Sequence, residues 1–263
     1  MQRPEMYDAL STDYDKFVNW PARLAAEMPF LEQRLAAGGR RVLDAASGTG
    51  QHAIAFARRG WKVSAADPSA GMLAQARASA AAAGVGVRFE QAGFGGMNRV
   101  FGKAAFDAEL CLGNSLAHVP DYSGLSDALE DFAACLAEGG LLILQNRNYD
   151  RVMSARERWF EPQSHAEAGR EWVFIRSYDF ETDGSITFNI LTLSREKNGN
   201  WRQAVSSTRL WPLRAAELTA ALEKAGFEIL EPCGSARGEP FDPATSPDLV
   251  IVARHRARGL PSR

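Results

Sequence analysis

The chain has 263 residues, of which 46% are hydrophobic and 24% are charged, so it is long enough to bury a sizeable core in one large domain. Its formal net charge of −2 provides no basic field, which argues against a nucleic-acid partner. No apolar run reaches membrane length, and the first residues lack the apolar core of a signal peptide. We therefore expect a cytoplasmic protein without a membrane partner.

Three isolated cysteines, Cys111, Cys135 and Cys233, are odd in number and lack the spacing of a zinc site. This pattern predicts reduced, buried thiols rather than a disulfide framework, which again fits the cytoplasm. We expect no metal centre.

Polar residues follow two short apolar strands early in the chain. The first strand ends at Asp44 and leads into a loop that contains Gly48 and Gly50, ahead of a helix. The second strand ends at Asp67. A glycine pair permits a ligand to approach the backbone closely, and a carboxylate at a strand end can accept both hydroxyls of a ribose. These two strands predict a site for a nucleotide-derived cofactor.

Two kinds of cofactor bind glycine loops of this type. Residues 48–53 also match the start of G-x-G-x-x-[GA], the pattern of a dinucleotide loop. Such a loop usually has its first glycine directly after the strand, which leaves helix amides free for a pyrophosphate. Here Asp44 and three small residues precede Gly48, and a carboxylate suits a ligand with an ammonium group better than a phosphate. We therefore expect S-adenosyl-L-methionine (SAM), with S-adenosyl-L-homocysteine (SAH) as its product, rather than NAD.

Strands and helices alternate through the first half of the chain. Predicted helices cover 21–37, 51–59, 69–83, 121–137 and 214–225, and Gly139-Gly140 is expected to stop the fourth of them. Predicted strands cover 42–44, 63–67, 87–91, 106–112, 141–145, 227–230 and 249–253. This alternation predicts an α/β fold with a doubly wound, mostly parallel, seven-stranded, Rossmann-like sheet.

The pattern changes after the fifth strand, where three β segments follow one another over 171–180, 185–195 and 200–210. Asp183-Gly184 and Asn198-Gly199 lie at their junctions, and both dipeptides are strong hairpin signals. We predict an antiparallel β insert that serves as a substrate lid over the carboxyl edge of the parallel strands. Its core is expected to contain Trp172, Phe174, Phe188 and Ile190. The chain is thus predicted to have four parts. Residues 1–37 form an N-terminal helical segment that closes the cofactor site, and residues 38–154 form the cofactor-binding core. Residues 155–212 form the insert, and residues 213–263 complete the core sheet.

Two further motifs carry a family resemblance. Residues 111–118, Cys-Leu-Gly-Asn-Ser-Leu-Ala-His, follow the fourth strand, and residues 145–150, Gln-Asn-Arg-Asn-Tyr-Asp, follow the fifth. Together with Trp-Pro-Ala-Arg at 20–23, they resemble the glycine/sarcosine N-methyltransferase family, which is one family of class I SAM-dependent methyltransferases. The insert resembles this family only loosely. The resemblance implies an enzyme that methylates the nitrogen of a small amine or amino acid.

The resemblance also implies roles for individual residues. Asp67 would hold the ribose hydroxyls, and Arg23 would pair with the carboxylate of the methyl donor. Asn114, Arg147 and Tyr7 would be catalytic, with Asn114 accepting from the amine and Arg147 clamping a substrate carboxylate. Further cofactor-binding residues implied are Tyr14, Ala46, Gly48, Gly50, Met72, Gly93, Phe94, Leu112 and His118, and acceptor-pocket residues are Tyr178 and Trp211. Gly93 and Phe94 stand where the family has Asn-Trp, so a side-chain hydrogen bond to the adenine edge is lost.

Simpler structural roles remain open for several of these residues. Asp67, Asn114 or Ser115 could cap a helix, Arg147 could form a surface salt bridge, His118 could be structural, and Tyr7 and Tyr14 could only fix the N-terminal segment. Two other functions also remain open. One is SAM-dependent O-methylation of a hydroxylated metabolite with His118 as base, and the other is SAM binding without catalysis. The expected partner is a small molecule, and a homo-oligomer is compatible with the sequence.

Overall fold

The computed structural model describes residues 5–197 and 199–256. Its helices are α1 Glu5–Leu10, α2 Tyr14–Phe17, α3 Trp20–Leu35, α4 Gln51–Ala57, α5 Ala70–Ala82, α6 Met97–Phe101, a 3-10 turn over Ser115–His118, α7 Tyr122–Cys135, α8 Tyr149–Ala155 and α9 Ala215–Lys224. Its strands are β1 Arg41–Asp44, β2 Lys62–Asp67, β3 Arg88–Gln91, β4 Phe106–Cys111, β5 Leu136–Arg147, β6 Gln163–Glu167, β7 Arg170–Phe180, β8 Ile186–Glu196, β9 Arg202–Leu210, β10 Phe227–Cys233 and β11 Asp248–His255.

The main sheet, within the described ranges, has seven strands in the order β10-β11-β5-β4-β1-β2-β3. Strands β1 to β5 are parallel, and β11 runs antiparallel to both β5 and β10. The predicted doubly wound, mostly parallel, Rossmann-like sheet is therefore confirmed. The order in which the strands are added to the sheet reverses between β1 and β4, and ligands of such sheets bind at the carboxyl ends of the strands at this point. The ends of β1, β2, β4 and β5 all lie at this edge.

Separate hydrophobic clusters cover the two faces of this sheet. Leu129 and Phe132 of α7 pack on one face, and Leu31 of α3 and Phe56 of α4 pack on the other. Helix α7 begins one residue after its N-cap, Asp121, whose side chain accepts a backbone N–H at 2.9 Å. Within the described residues, no helix is both long enough and apolar enough to cross a membrane.

Strand β5 is longer than predicted. The sequence indicated 141–145, with the preceding helix stopped by Gly139 and Gly140, but helix α7 ends at Cys135 and β5 already starts at the next residue. A register irregularity in its pairing with β4 falls in this stretch. A Cβ on Gly140 would lie 2.9 Å from the carbonyl oxygen of Ala137, so only glycine fits this close backbone approach. The glycines therefore lie within the strand and do not simply end the helix.

The insert forms a separate antiparallel sheet in the order β6-β7-β8-β9. Strand β6 was not predicted, because its short polar sequence lacks alternation. Asp183-Gly184 joins β7 to β8 as predicted, and Asp183 accepts the backbone N–H of Ser185 at 3.0 Å. The other predicted turn includes Asn198, which lies outside the described residues. Trp172, Phe174 and Ile190 form the insert's core as predicted, with Phe188 packed against them.

The insert covers the carboxyl edge of the main sheet through two contacts. On one side its core packs against α1 and α2 through Leu10 and Phe17. On the other side Tyr178 packs with Ala117, which follows β4, and with Tyr149, which follows β5. This placement agrees with the sequence-based prediction, while the role of a substrate lid stays a prediction.

Candidate functional site

Asp67 ties the glycine loop to the start of α5. Its Oδ2 accepts the backbone N–H of Gly48 at 2.9 Å, and its Oδ1 accepts the N–H of Ser69 at 2.9 Å. Ser69 is the N-cap of α5, because its side chain accepts the N–H of Met72 at 3.1 Å. The alternative in which Asp67 itself caps the helix is therefore wrong. The carboxylate instead holds two backbone segments at the carboxyl edge of the sheet.

A second buried carboxylate, Asp44, stands at the end of β1. Burial raises the pKa of Asp44 to about 6, and the charge of Asp67 acts in the same direction, while His52 opposes it. Burial also raises the pKa of Asp67 to about 6, although the N–H groups of Ser69 and Gly48 oppose the shift. A cation beside these groups would stabilise their charged forms. The two acceptor-only carboxylates suit a ligand that carries a cation and hydroxyls.

The two glycines of the loop have different reasons to lack a side chain. Gly48 has a φ of +53°, and a Cβ built on it would meet no atom within 4 Å, so the loop leaves room for a ligand on that side. Gly50 has a φ of +79°, and a Cβ there would lie 3.0 Å from the Cβ of Ala76 and 3.1 Å from the Phe89 ring. Gly50 therefore permits the loop to pack on α5 and β3. Beside them the buried hydroxyl of Ser47 has no hydrogen-bond partner among the described residues.

The N-terminal helices cover the loop through two aspartates that the sequence did not single out. Asp15 accepts the hydroxyl of Thr49 at 2.6 Å and the side-chain amide of Gln51 at 3.0 Å. Asp8 accepts the hydroxyl of Ser69. Acidic residues on short helices are usually exposed to solvent, so no feature of the sequence indicated that these two aspartates contact the loop. Their contacts support the predicted role of the N-terminal segment in closing the cofactor site.

Arg23 lies at the carboxyl end of β5, where the donor carboxylate was expected. Its Nε donates to both oxygens of Glu27 at 3.1 Å, and its Nη2 donates to Oε1 of Gln145 at 3.3 Å. Burial would raise the pKa of Glu27, but the hydrogen bond from His52 and the charge of Arg23 outweigh it, so this pKa is lowered. Glu27 is thus a charged anchor that fixes the position of the guanidinium.

Asn114 connects two segments of the predicted acceptor site. Its Nδ2 donates to the hydroxyl of Tyr149 at 2.9 Å, and its Oδ1 accepts the backbone N–H of Arg147 at 2.9 Å. The side chain therefore orients its neighbours, which differs from the expected role of accepting directly from the amine. The capping alternatives are wrong, because Asn114 makes no side-chain cap bond and the Ser115 hydroxyl donates back to the carbonyl of Leu112 at 2.8 Å.

Arg147 is the last residue of β5 and is only partly engaged. Its Nη1 donates to Asp248 at 3.0 Å, and its guanidinium carbon lies 5.7 Å from the centre of the Phe160 ring. Its Nε is buried and has no partner in the part of the chain that the structure describes. The salt bridge considered for Arg147 therefore exists, but it leaves the buried Nε donor unused. Burial raises the pKa of Asp248, and the charge of Arg147 opposes that shift.

The hydroxyl and imidazole groups of the site are uncharged at neutral pH. Tyr7 and Nε2 of His118 share a hydrogen bond of 2.8 Å. Burial lowers the pKa of His118 to about 4 and raises the pKa of Tyr7. Burial also raises the pKa of Tyr178 to about 12, against the opposing charge of Arg147, and raises the pKa of Tyr149. These groups can orient a ligand through hydrogen bonds, and none of the tyrosines is a phenolate.

Several predicted residues serve mainly in packing. Tyr14 packs edge-on against Phe17 at 4.8 Å, and burial raises its pKa. The remaining assigned residues that are buried in the hydrophobic core are Met72 and Leu112. The backbone of Ala46 lowers the pKa of the Asp44 carboxyl, so that segment does lie beside Asp44 at the loop.

Two predicted residues point into the main core. The Phe94 ring packs edge-on against Phe132 at 5.5 Å, and the carbonyl of Gly93 accepts the N–H of Gly96 at 3.2 Å. Trp211 also packs against the main core, and its Nε1 donates to Glu217 at 3.3 Å. Trp211 is thus absent from the apolar cluster around Tyr178 within the described residues. The predicted place of Trp211 beside Tyr178 in the acceptor pocket stays a prediction.

Four residues around Arg147 were not assigned to the site from the sequence. They are Tyr149, Phe160, Arg176 and Asp248. Tyr149 belongs to the 145–150 motif and could have been included. Asp248 is opposite Arg147 in the antiparallel pairing of β11 with β5, which the sequence does not reveal. Arg176 is a charge within an otherwise apolar strand face, and that signal was overlooked.

Comparison with known proteins finds similarity in part of the sequence and in the fold of the chain. A family model described as a methyltransferase domain matches residues 42–140. The solved structure of a SAM-dependent methyltransferase from Clostridium acetobutylicum ATCC 824 is similar with a TM-score of 0.79 at 16% identity, covering 95% of this chain and 99% of that chain. Residues 42–140 therefore match a methyltransferase domain, and the chain as a whole has the fold of that solved SAM-dependent methyltransferase.

Two curated relatives of the chain share a narrower name. A glycine/sarcosine N-methyltransferase from Parasynechococcus marenigrum (strain WH8102) is 38% identical over 151 residues, which are 57% of this chain and 53% of the relative. A glycine/sarcosine N-methyltransferase from Aphanothece halophytica is 28% identical over 235 residues, which are 88% of this chain and 82% of the relative. The chain therefore spans about half the length of the first relative and most of the second.

Proposed function

We propose that the methyltransferase transfers the methyl group of SAM to the nitrogen of a small amine or amino acid of the glycine/sarcosine type. The observation that carries this proposal is the group formed by Asn114, Arg147 and Tyr149 beside the cofactor loop. Asn114 binds both of the others, at 2.9 Å each, at the shared carboxyl edge of β4 and β5. The names of the two curated relatives support an amine acceptor.

The residues around the glycine loop fit SAM. When bound, SAM supplies a methyl group on a positively charged sulfur, which an amine lone pair can displace. Asp67 would accept the ribose hydroxyls with the lone pairs that its two backbone bonds leave unused. Arg23 would pair with the carboxylate of the methionine part, and Asp44 would stabilise its cationic end. The space beside Gly48 supports this assignment, since a Cβ there would meet nothing within 4 Å.

The acceptor side would act by positioning. A neutral amine is already a good nucleophile, so the site needs alignment more than a strong base, and alignment alone can lower a barrier by about 7–11 kcal/mol. The unpartnered Nε of Arg147 would donate to a substrate carboxylate. The hydroxyls of Tyr7 and Tyr149 keep their protons because burial raises their pKa values, so they would orient the amine through hydrogen bonds.

The proposal extends to a cytoplasmic protein whose partner is a small molecule. Cys111, Cys135 and Cys233 are free and buried, and free thiols are typical of a reducing compartment such as the cytoplasm. The partner we propose is a small molecule, because the polar groups converge on a site walled by aromatic side chains.

A direct assay tests this proposal. Labelled SAM is incubated with glycine, sarcosine, other amino acids, simple amines and phenols, and methylated products are identified by mass spectrometry. Methylation of an amino acid supports N-methylation, methylation of phenols alone supports O-methylation, and SAH binding without any turnover supports a non-catalytic protein.

Variants of Arg147 sharpen the assay. Arg147→Lys and Arg147→Ala should raise the acceptor KM at least tenfold, because an ammonium cannot reproduce the forked donors of a guanidinium. SAH affinity should barely change. Arg151→Lys is the matched control. Arg151 lies on helix α8 and forms an ion pair with Glu157 in the loop that follows the helix. Full activity of both Arg147 variants would contradict the carboxylate clamp.

A further inference from the structure

Arg176 interrupts an otherwise aromatic face of the insert. Alternate side chains of a strand share one face, and on β7 that face is formed by Trp172, Phe174, Arg176, Tyr178 and Phe180. Trp172 and Phe174 belong to the apolar cluster with α1 and α2, while Tyr178 belongs to the cluster with Tyr149. Arg176 therefore lies between two apolar clusters, where a charged side chain gains nothing from packing alone.

Two guanidinium groups meet at one aromatic ring. The guanidinium carbon of Arg176 lies 4.9 Å from the centre of the Phe160 ring, and that of Arg147 lies 5.7 Å from the same centre. The backbone N–H of Phe160 donates to the carbonyl of Arg176 at 3.2 Å, which fixes the ring beside β7. A guanidinium from the insert and one from the main sheet thus approach each other at the acceptor site.

The charges of these two arginines are unequally balanced. Arg147 forms an ion pair with Asp248 at 3.0 Å. Over residues 6–197 and 199–256, Arg176 has no carboxylate within ion-pair distance and no side-chain hydrogen bond, and its Nε is buried. Burial and the positive charge of Arg147 both lower the pKa of Arg176. A partly buried cation without a carboxylate partner is unfavourable unless a ligand supplies the opposite charge.

We propose that Arg176 binds the carboxylate of the methyl acceptor, from the side opposite Arg147. The proposal rests on the proposed N-methylation and narrows its acceptors to amines that carry a carboxylate. Two guanidiniums and the single carboxylate of Asp248 leave one positive charge, which one acceptor carboxylate balances. The acceptor carboxylate then connects β5 of the main sheet to β7 of the insert, so that the insert contributes directly to specificity.

Matched acceptors test the charge requirement. Methyl transfer is measured for glycine against glycinamide and for sarcosine against sarcosinamide. Each pair differs in the carboxylate, and rates are compared per neutral amine because the amide also lowers the pKa of the amine. In the unmodified protein, kcat/KM for the acid should exceed that for the amide at least tenfold. Arg176→Met should lower kcat/KM for the acid about 10- to 100-fold, mainly through KM, because it removes charge-assisted hydrogen bonds. It should leave the amide unchanged, and Arg176→Lys should recover part of the loss.

Two controls accompany these variants. Arg195→Met changes an exposed arginine of the same insert, which pairs with Glu171 across β7 and β8, and it should alter neither acceptor. SAH affinity should be equal in all variants, which shows that Arg176→Met folds with an intact cofactor site. Binding of sarcosine to the SAH-saturated protein is also measured by calorimetry, because this readout does not require turnover.

The outcomes separate the two proposals. If no amine is methylated but sarcosine binds in an Arg176-dependent manner, N-methylation is overturned and the carboxylate site is supported. If amines are methylated while acid and amide react equally, or if Arg176→Met impairs both equally, the carboxylate site is overturned and N-methylation stands. Absence of sarcosine binding to the SAH-saturated protein also overturns the carboxylate site.

Discussion

The Oδ1 atom of Asn114 accepts the backbone N–H of Arg147 at 2.9 Å, so one side chain fixes the end of the strand that carries the guanidinium. The same side chain donates to Tyr149 through its Nδ2. Asn114 also has a φ of +70°, a conformation that Asn and Asp adopt more readily than other side chains. The acceptor site therefore depends on a residue whose backbone and side chain are both constrained.

Asn114→Asp should lower kcat about tenfold or more with little change in SAH affinity. The substitution preserves shape and an acceptor for the Arg147 N–H but removes the donor to Tyr149, and a lost hydrogen bond among buried groups costs about 1–3 kcal/mol. Steady-state kinetics and SAH calorimetry measure the two effects. Ser115→Ala, which removes a hydroxyl bonded only to a local carbonyl, is the control. An unchanged kcat would show that Asn114 does not position the acceptor site.

Cofactor affinity should fall as the pH drops below about 6. Asp44 and Asp67 both have a pKa of about 6, and a cationic ligand binds their ionised forms better, so binding releases protons. For one carboxylate, affinity at pH 5 is expected to be about tenfold lower than at pH 7.5. Calorimetry of SAM and SAH binding from pH 5 to 8 measures this dependence.

Asp67→Asn should weaken SAM binding and flatten its pH dependence, because one of the two titrating groups is lost. Asp121→Asn is the matched control, since Asn also serves as an N-cap for α7 and the residue lies outside the cofactor site. A pH dependence of SAM affinity that is identical in Asp67→Asn and in the unmodified protein would exclude Asp67 from cofactor binding.

His118→Gln should retain the pH profile of the unmodified protein. Burial lowers the pKa of His118 to about 4, so the imidazole stays neutral from pH 5.5 to 9 and produces no step in activity there. The amide of Gln can still accept from the Tyr7 hydroxyl. A general base contributes about 10²- to 10⁴-fold, so a loss of kcat/KM of that size would favour the O-methylation alternative with His118 as base.

Replacing Glu109 should stabilise the fold at neutral and alkaline pH. Glu109 on β4 is fully buried, and neither of its oxygens has a hydrogen-bond partner among the described residues. Burial, together with the charge of Asp131, raises the pKa of Glu109 well above its ordinary value. As the pH rises above the pKa of the unfolded chain, the unfolded state ionises first, and the free energy of unfolding falls by about 1.4 kcal/mol per pH unit.

Glu109→Met should therefore raise the melting temperature by about 2–4 °C for each kcal/mol by which it increases the free energy of unfolding. This increase in melting temperature should be larger at pH 8 than at pH 5.5. Thermal denaturation over this range measures it. Glu228→Gln, an exposed change on β10, should leave the melting temperature nearly unchanged. A gain that is the same at every pH would show that packing, and not the ionisation of Glu109, determines the difference.

The sequence predicted the main sheet and the cofactor loop because both follow from local patterns. Strands that end at Asp44 and Asp67 must meet at one edge once the sheet is parallel. The contacts of Asp8 and Asp15 could not be predicted in the same way, since they depend on how short N-terminal helices pack across a loop over thirty residues away. The length of β5 was misjudged because Gly139 usually ends an element and here lies within one.

The acceptor site was predicted less completely. Asn114 and Arg147 were found through their motifs, but their mutual bond depends on the adjacency of β4 and β5. The approach of Arg176 to Arg147 depends on how the insert folds back over the sheet, and no local periodicity encodes that. The place of Trp211 does not follow from the sequence, because an aromatic residue at the end of the insert can turn either to the main core or to the site.

The contacts of Asp15 with Thr49 and Gln51 have a kinetic consequence. The same N-terminal segment carries Phe17, whose ring packs 5.4 Å from that of Phe174 in the insert. A displacement that uncovers the glycine loop must therefore also disturb the core of the insert. Departure of the spent cofactor and departure of the methylated product would then share one opening motion, and the rate of that motion would set an upper limit on turnover.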